Sequence, residues 1–225
     1  MEPIIDTKST AVYRSLKRDI LHGRLKPGEK LVASRLAEAF GVSIIPVREA
    51  LTRLRAEGLV TIVPHTGAYV REIELKDLRD LYPIRGALEG LATRLACGRL
   101  HPQDFTTLEQ LIEEMDSVIA EGQFHRMGAI NYEFHMHIYR ASGNSHLVKL
   151  IEDLWQKTGR VRAVFALVPE RARPANEEHR LILEALKAGQ ARRAEKLVIE
   201  QDEKTLQALM RYLEKDAAKD SENST

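Results

Sequence analysis

Two short apolar stripes split by a lone glycine constrain this 225-residue chain more than any other feature. Leu36, Ala37 and Phe40 give an inner face to a short helix expected over residues 34–40. Gly41 follows, and Ser43 then starts a second helix, expected over 44–57, whose stripe is Val47, Leu51 and Leu54. A helix of so few residues does not hold in water alone and must rest on a neighbour. Glycine adopts the left-handed conformation a sharp turn needs, serine is a good N-cap, and Pro46 is tolerated in a first turn. Two helices joined this way form a helix-turn-helix, in which the first steadies the second and the second lies in a DNA major groove.

The flanks complete a small domain. Val12, Leu16, Ile20 and Leu21 predict a helix over 10–23 that stops at Gly23, and Leu25-Lys26-Pro27-Gly28 reads as a turn. Leu59–Val63 and Ala68–Val70 predict two strands around Pro64-His65-Thr66-Gly67. Three helices and a β-hairpin make a winged helix-turn-helix over residues 1–72. Charge divides at the same place: residues 1–72 carry 12 Lys/Arg against 8 Asp/Glu, and the other 153 carry 22 against 25. A basic head on a slightly acidic body suits a DNA-binding module joined to a domain of another kind.

Beyond residue 72 every segment reads as helix, so the fold class is mainly α. Helices are expected near 75–97, 103–121, 124–142, 146–167, 175–188 and 190–213, with Pro83 kinking the first and a break from Val168 to Pro174. Six helices on short connections predict an antiparallel bundle over residues 73–215, with a frayed polar tail over 216–225. Hydrophobic residues at 44% and charged ones at 30% allow an ordinary core. Cys97 is the sole cysteine, which excludes an internal disulfide and a cysteine zinc cluster and suits a reducing compartment. With no leader-like N-terminus and no apolar run near the ~20 residues of a membrane span, a cytoplasmic protein is expected.

On the groove-facing side of the 44–57 helix lie Ile44, Ile45, Arg48, Glu49, Thr52 and Arg53. Arg48 and Arg53 reach phosphates or a guanine edge, and Ser43 reaches a phosphate at the helix N-terminus. The two isoleucines either pack on thymine methyls, or one of them belongs to the core. His65 at the wing tip either touches DNA or is a turn residue without a role. In the body, polar residues interrupt apolar stripes: Arg85 and Glu89, Asn131 and His135 at i, i+4, His179, and Gln201. Facing one interior, they would form a polar pocket, because a buried polar group without a partner costs about 1–3 kcal/mol. Asn131, His135, His179 and Gln201 offer neutral N and O atoms to a divalent cation, though each also fits a satisfied core position.

The stretch PGEKLVASRLAEAFGVSIIPVREALTRLRAEGLVTIVPHTGAYV closely resembles the DNA-binding domain of the GntR family. The resemblance implies that Arg48, His65 and Gly67 contact DNA. Where most relatives carry Arg-Thr after the serine, this chain has Ile44-Ile45, so its base preference does not follow from theirs. RGALEGLATRLA, NYEFHMHIYRASGN and EEHRLILEALKAGQARRAEKL are similar to the FCD ligand-binding domain of FadR-like members. There, an Asp and three His commonly hold a metal (Zn, Ni or Mn) beside a small carboxylate. Here Asn131 stands for the Asp and Gln201 for the last His, which weakens such a site, while Arg85 matches an arginine that would take the carboxylate. The resemblance implies a homodimer on a palindromic double-stranded operator, whose repression a small organic-acid effector relieves, with no catalytic residues. Two alternatives stay open. One is a metal-dependent enzyme fused to the head, with Glu133 or Glu89 as base, although no HExxH motif is present; the other is an architectural protein without an effector.

Overall fold

The computed structural model describes residues 7–21, 24–71, 75–157 and 164–222. The chain forms two compact units that divide between Ile73 and Glu74. In the first unit, α1 (Lys8–Leu21), α2 (Ala33–Phe40) and α3 (Ile44–Ala56) surround a common core. Val12, Leu16 and Ile20 of α1 meet Val47, Ala50 and Leu54 of α3, all of them buried. Gly41 ends α2 at φ 62°, and its N–H donates to the Ala37 and Glu38 carbonyls, so the chain reverses with its backbone satisfied. At the other end of α3, Glu57 accepts from Tyr13 and, at 2.7 Å, from Lys17, tying α3 to α1.

The expected hairpin is present as β2 (Val60–Val63) and β3 (Gly67–Val70), in the register Val60↔Val70 and Val63↔Gly67. A strand absent from the sequence reading joins it. β1 (Lys30–Leu31) pairs antiparallel with β3, giving the order β1-β3-β2. Two residues show no periodicity, so β1 exists only through its partner, fastened by bonds between Gly28 and Val70 and between Val70 and Glu29. Gly23, the expected stop of α1, lies outside the described residues.

The second unit is helical throughout its described residues: α4 (Leu75–Ala96), α5 (Pro102–Ala120), α6 (Phe124–Ala141), α7 (Ser145–Lys157), α8 (Val164–Leu167), α9 (Ala172–Lys187) and α10 (Ala191–Glu222). The single helix expected over 146–167 is α7 and α8, with residues 158–163 outside the described set. The break expected at 168–174 is instead a 3-10 turn, Pro169–Arg171, that runs into α9 with Pro174 in its first turn, where a missing N–H costs nothing. α10 runs beyond its expected end near 213 and is helical through Glu222, in a stretch without glycine or proline. Along α4, Gly86 and Gly90 face Ile199 of α10, where the missing side chains allow close approach.

Candidate functional site: a nucleic-acid interface and a buried polar cluster

α3 presents an outer face that the core leaves alone. Ser43, Ile44, Ile45, Arg48, Glu49, Thr52 and Arg53 are exposed, while Val47, Ala50, Leu51 and Leu54 fill the inner face. Both isoleucines are therefore outside the core, Ile44 at 41% exposure and Ile45 at 69%. Ser43 occupies the N-cap position without a side-chain cap bond, so its hydroxyl and the first N–H groups of α3 face outward. Arg48 and Thr52 line two neighbouring hollows. One includes Ile45, Glu49 and Arg53, and the other reaches Lys30, Thr66 and Gly67 at the base of the wing. Arg53 is turned toward α1, its guanidinium 4.1 Å above the Tyr13 ring. His65 is exposed at the wing tip and is the one non-glycine residue with positive φ, 60°, among the described residues. Such a conformation is uncommon outside glycine, although asparagine, aspartate and histidine adopt it more readily than other residues. The wing therefore holds its imidazole outward at the turn.

In the helical unit Arg85, Glu89, His135, His179 and Gln201 are all buried, and they meet. Glu89 is the hub. It accepts from Arg85 Nε at 2.8 Å, from Trp155 Nε1 at 2.8 Å and from the Tyr139 hydroxyl at 2.6 Å. Arg85 also reaches Asp202 at 3.3 Å, and its guanidinium lies between the rings of Tyr82 and Trp155, 4.7 and 4.6 Å from their centroids. Tyr139 touches His135 Nδ1 at 3.1 Å, and His135 Nε2 faces His179 Nε2 at 3.3 Å. Behind His179, Asn176 Oδ1 lies 3.3 Å from Nδ1.

The network assigns the protons. Tyr139 has one, and it goes to the anionic Glu89, so the phenol oxygen accepts from His135 Nδ1–H. Asn176 spends its amide hydrogens on the Ile112 carbonyl and Asp116, so its oxygen accepts from His179 Nδ1–H. With both ring protons on Nδ1, the two Nε2 atoms would face each other as lone pairs across 3.3 Å, an arrangement that would suit a shared cation. Burial is the first cause that keeps both rings neutral. It pushes His135 down to about 4, against the pull of Glu89 and a Gln201 hydrogen bond, and holds His179 well below the usual imidazole range, with His135 and Arg171 adding to the effect. Burial likewise raises the Asp202 carboxyl to about 8, with the Glu89 charge next in importance. Burial alone would lower Arg85, but Glu89 and Asp202 more than reverse this, and it stays charged.

Asn131 is half-buried, one turn before His135 on α6, and makes no hydrogen bond among the described residues. Gln201 is tied by its amide to the Ala175 carbonyl. The free bidentate fork expected of Arg85 is not there, because Nε and one terminal nitrogen are committed to Glu89 and Asp202. Glu133, the other base considered, is exposed and sits 3.7 Å from Arg140. Sequence reading missed Asp202, Tyr139, Trp155, Asn176 and Arg171. Tyr139 follows His135 by one turn and Asp202 adjoins Gln201, so the stripe would have found the first and a search for charged neighbours the second. Five buried polar atoms have no hydrogen-bond partner among the described residues: Tyr82 Oη, one terminal nitrogen of Arg85, Nε and a terminal nitrogen of Arg171, and Asp202 Oδ2.

A pH profile follows from these directions. Folded Asp202 keeps its proton to about pH 8, whereas its unfolded counterpart loses it near 3.8, so stability falls as pH rises across that span. The two histidines act oppositely: unfolded rings gain protons below 6.5 and folded ones do not, so stability falls as pH drops below 6.5. The helical unit is expected to be most stable near pH 6.5 and to lose stability steadily from there toward 8. Trp155, the sole tryptophan, reports unfolding of this unit by fluorescence. Asp202→Asn should abolish the alkaline slope, and an unchanged slope would assign it to another group.

A winged helix-turn-helix with an exposed recognition helix, followed by a helical unit with a buried polar cluster, defines a two-domain DNA-binding regulator. Residues 8–70 match the model for bacterial regulatory proteins of the gntR family, and residues 80–203 match the FCD domain. The chain belongs to the gntR family and carries an FCD domain. It is 35% identical to the HTH-type transcriptional regulator McbR of Escherichia coli, over 79% of this chain and 81% of that one. It is 33% identical to a probable D-xylose utilization operon transcriptional repressor of Paenarthrobacter nicotinovorans, over 84% and 83%. The solved structure of E. coli McbR/YncC superposes with a TM-score of 0.77 at 31% identity, covering 92% of this chain and 99% of that one. No described helix is long and apolar enough to cross a membrane.

Proposed function

We propose that this chain is a cytoplasmic homodimeric repressor that binds a double-stranded operator through α3 and the wing, and releases it when a small carboxylate enters the helical unit. The observation that carries the reading is the division of polar residues: Arg48 exposed on the outer face of α3 with no carboxylate partner among the described residues, and a buried cluster in the second unit whose donors are not all satisfied among the described residues. Ser43, Ile44, Ile45, Arg48, Arg53, His65 and Gly67 form the DNA surface. Arg85, Glu89, Asn131, His135, His179 and Gln201 form the effector site. The free nitrogens of Arg85 and Arg171 supply donors for an anion, and Tyr82 and Asp202 complete its surroundings. A divalent ion fits the facing lone pairs of His135 and His179, with Gln201 and Asn131 as amide donors, and when bound it supplies a Lewis-acidic anchor for the carboxylate.

A second copy has a place to dock. Leu81, Ile84, Leu88, Leu91 and Leu95 run along α4 at alternating steps of three and four, half-buried or exposed, on the side away from Gly86 and Gly90. That spacing is the seam of paired helices. An effector with higher affinity for one arrangement of the dimer shifts DNA affinity by that difference and no more.

The test uses full-length protein on fragmented genomic DNA, followed by small mono- and dicarboxylates with Ni²⁺ or Zn²⁺. Expected are enrichment of a few palindromic fragments, release by one of the acids, and a rise in the Trp155-monitored unfolding temperature with metal. Replacing both His135 and His179 by alanine should remove the metal effect and the release while DNA binding persists. Metal stabilisation and release that survive the double replacement would overturn the site assignment.

A further inference from the structure

Of the large apolar side chains left in solvent among the described residues, Ile45 is the most exposed, at 69%, and Ile44 beside it is exposed as well. The winged unit does not use them: Val47, Ala50, Leu51 and Leu54 already fill the inner face of α3. Ile45 stands in the first turn of α3, one turn ahead of Arg48 and Glu49, and with these two lines a hollow that Thr7 and Ser9 close from the other side. Glu49 would repel a phosphate, so this hollow faces base edges rather than the backbone. Residues near the N-terminus of a recognition helix are those that reach base edges. An aliphatic side chain there has neither charge nor hydrogen bond to offer. The one apolar mark on a base edge in the major groove is the thymine C5-methyl.

We propose that Ile45, flanked by Ile44, reads a thymine methyl in each half-site, so that this operator is specified in part by apolar contact. The inference rests on the DNA-binding reading of α3. Burial of the methyl against Ile45 would remove both apolar groups from water, at no cost to the fold.

Sites are selected from a random duplex library with the full-length protein, and each half-site thymine is replaced in turn by deoxyuridine, which removes only the methyl. One thymine per half-site is expected at which replacement weakens binding about fourfold, the factor that burial of one such carbon corresponds to. Ile45→Ala, which removes the contact from both half-sites of the dimer, should weaken the unsubstituted site by about the square of that factor, roughly sixteenfold, and uracil should then have no further effect. A tight selected site that tolerates every uracil, or uracil and Ile45→Ala effects that simply multiply, overturns the methyl assignment and leaves the DNA-binding reading standing. Selection that enriches no sequence at all overturns both. The uracil series needs no variant, so its outcome does not depend on how Ile45→Ala folds.

Discussion

Arg48→Ala is expected to weaken operator binding between about 30-fold and 10⁴-fold in the dimer, since one good arginine contact to a guanine edge discriminates by about 1–3 kcal/mol and two subunits each lose one. Arg48 is exposed, has no carboxylate partner among the described residues, and sits where the Ile45 hollow meets the hollow at the base of the wing. Its removal leaves the core of α3 untouched, so the winged unit should unfold at the wild-type temperature. Arg53 is the informative comparison. Its guanidinium rests on the Tyr13 ring, so Arg53→Ala should cost less affinity and more stability than Arg48→Ala. Fluorescence anisotropy on a selected site, repeated at several salt concentrations, separates the two. An Arg48→Ala protein that binds as tightly as wild type would mean that α3 does not dock as described.

The head was legible in sequence because its signals are local and agree. Gly41 needs positive φ and has it, Ser43 stands at an N-cap, and Val47, Leu51 and Leu54 are buried on one stripe. β1 was not legible, because a two-residue strand has no period and is defined by hydrogen bonds to a segment nearly forty residues away. The helical unit was legible as helices, with boundaries misplaced at Pro169–Arg171, where proline reads as a break although a first turn accepts it, and at the end of α10, which runs on to Glu222. The polar cluster was half legible. Stripe arithmetic picked Arg85, Glu89, His135, His179 and Gln201, because a polar residue on an apolar face stands out. It could not show that Arg85 is already committed to Glu89 and Asp202, since the second pairing joins residues 117 positions apart on α4 and α10. Nor does any spacing reveal that Tyr139 lies between Glu89 and His135 Nδ1, the contact through which it would set that ring's tautomer.

Glu89→Ala should be the most damaging single replacement in the helical unit, at about 3–5 kcal/mol, because it strips a buried charge of its main partner. Glu89 satisfies three donors at once, and alanine leaves Trp155 Nε1 and Arg85 Nε buried without an acceptor. Asp202 still holds one nitrogen of Arg85, which keeps the loss below that of a wholly unpaired ion. At about 2–4 °C per kcal/mol for a protein of this size, Trp155 fluorescence should register a fall of roughly 6–20 °C. Glu89→Gln separates charge from hydrogen bonding. It retains an acceptor for Trp155 but withdraws the anion that helps to raise Asp202, so the alkaline slope of stability should flatten as Asp202 ionises at lower pH. Either variant also frees the Tyr139 hydroxyl to donate to His135 Nδ1, which moves that ring's proton to Nε2 and places it between the two histidines. Zn²⁺ or Ni²⁺ stabilisation should then be lost along with the alkaline slope, although neither replacement touches His135 or His179. If metal stabilisation survives Glu89→Gln undiminished, Tyr139 does not govern the proton on His135, and the two imidazoles hold the ion without help from α4.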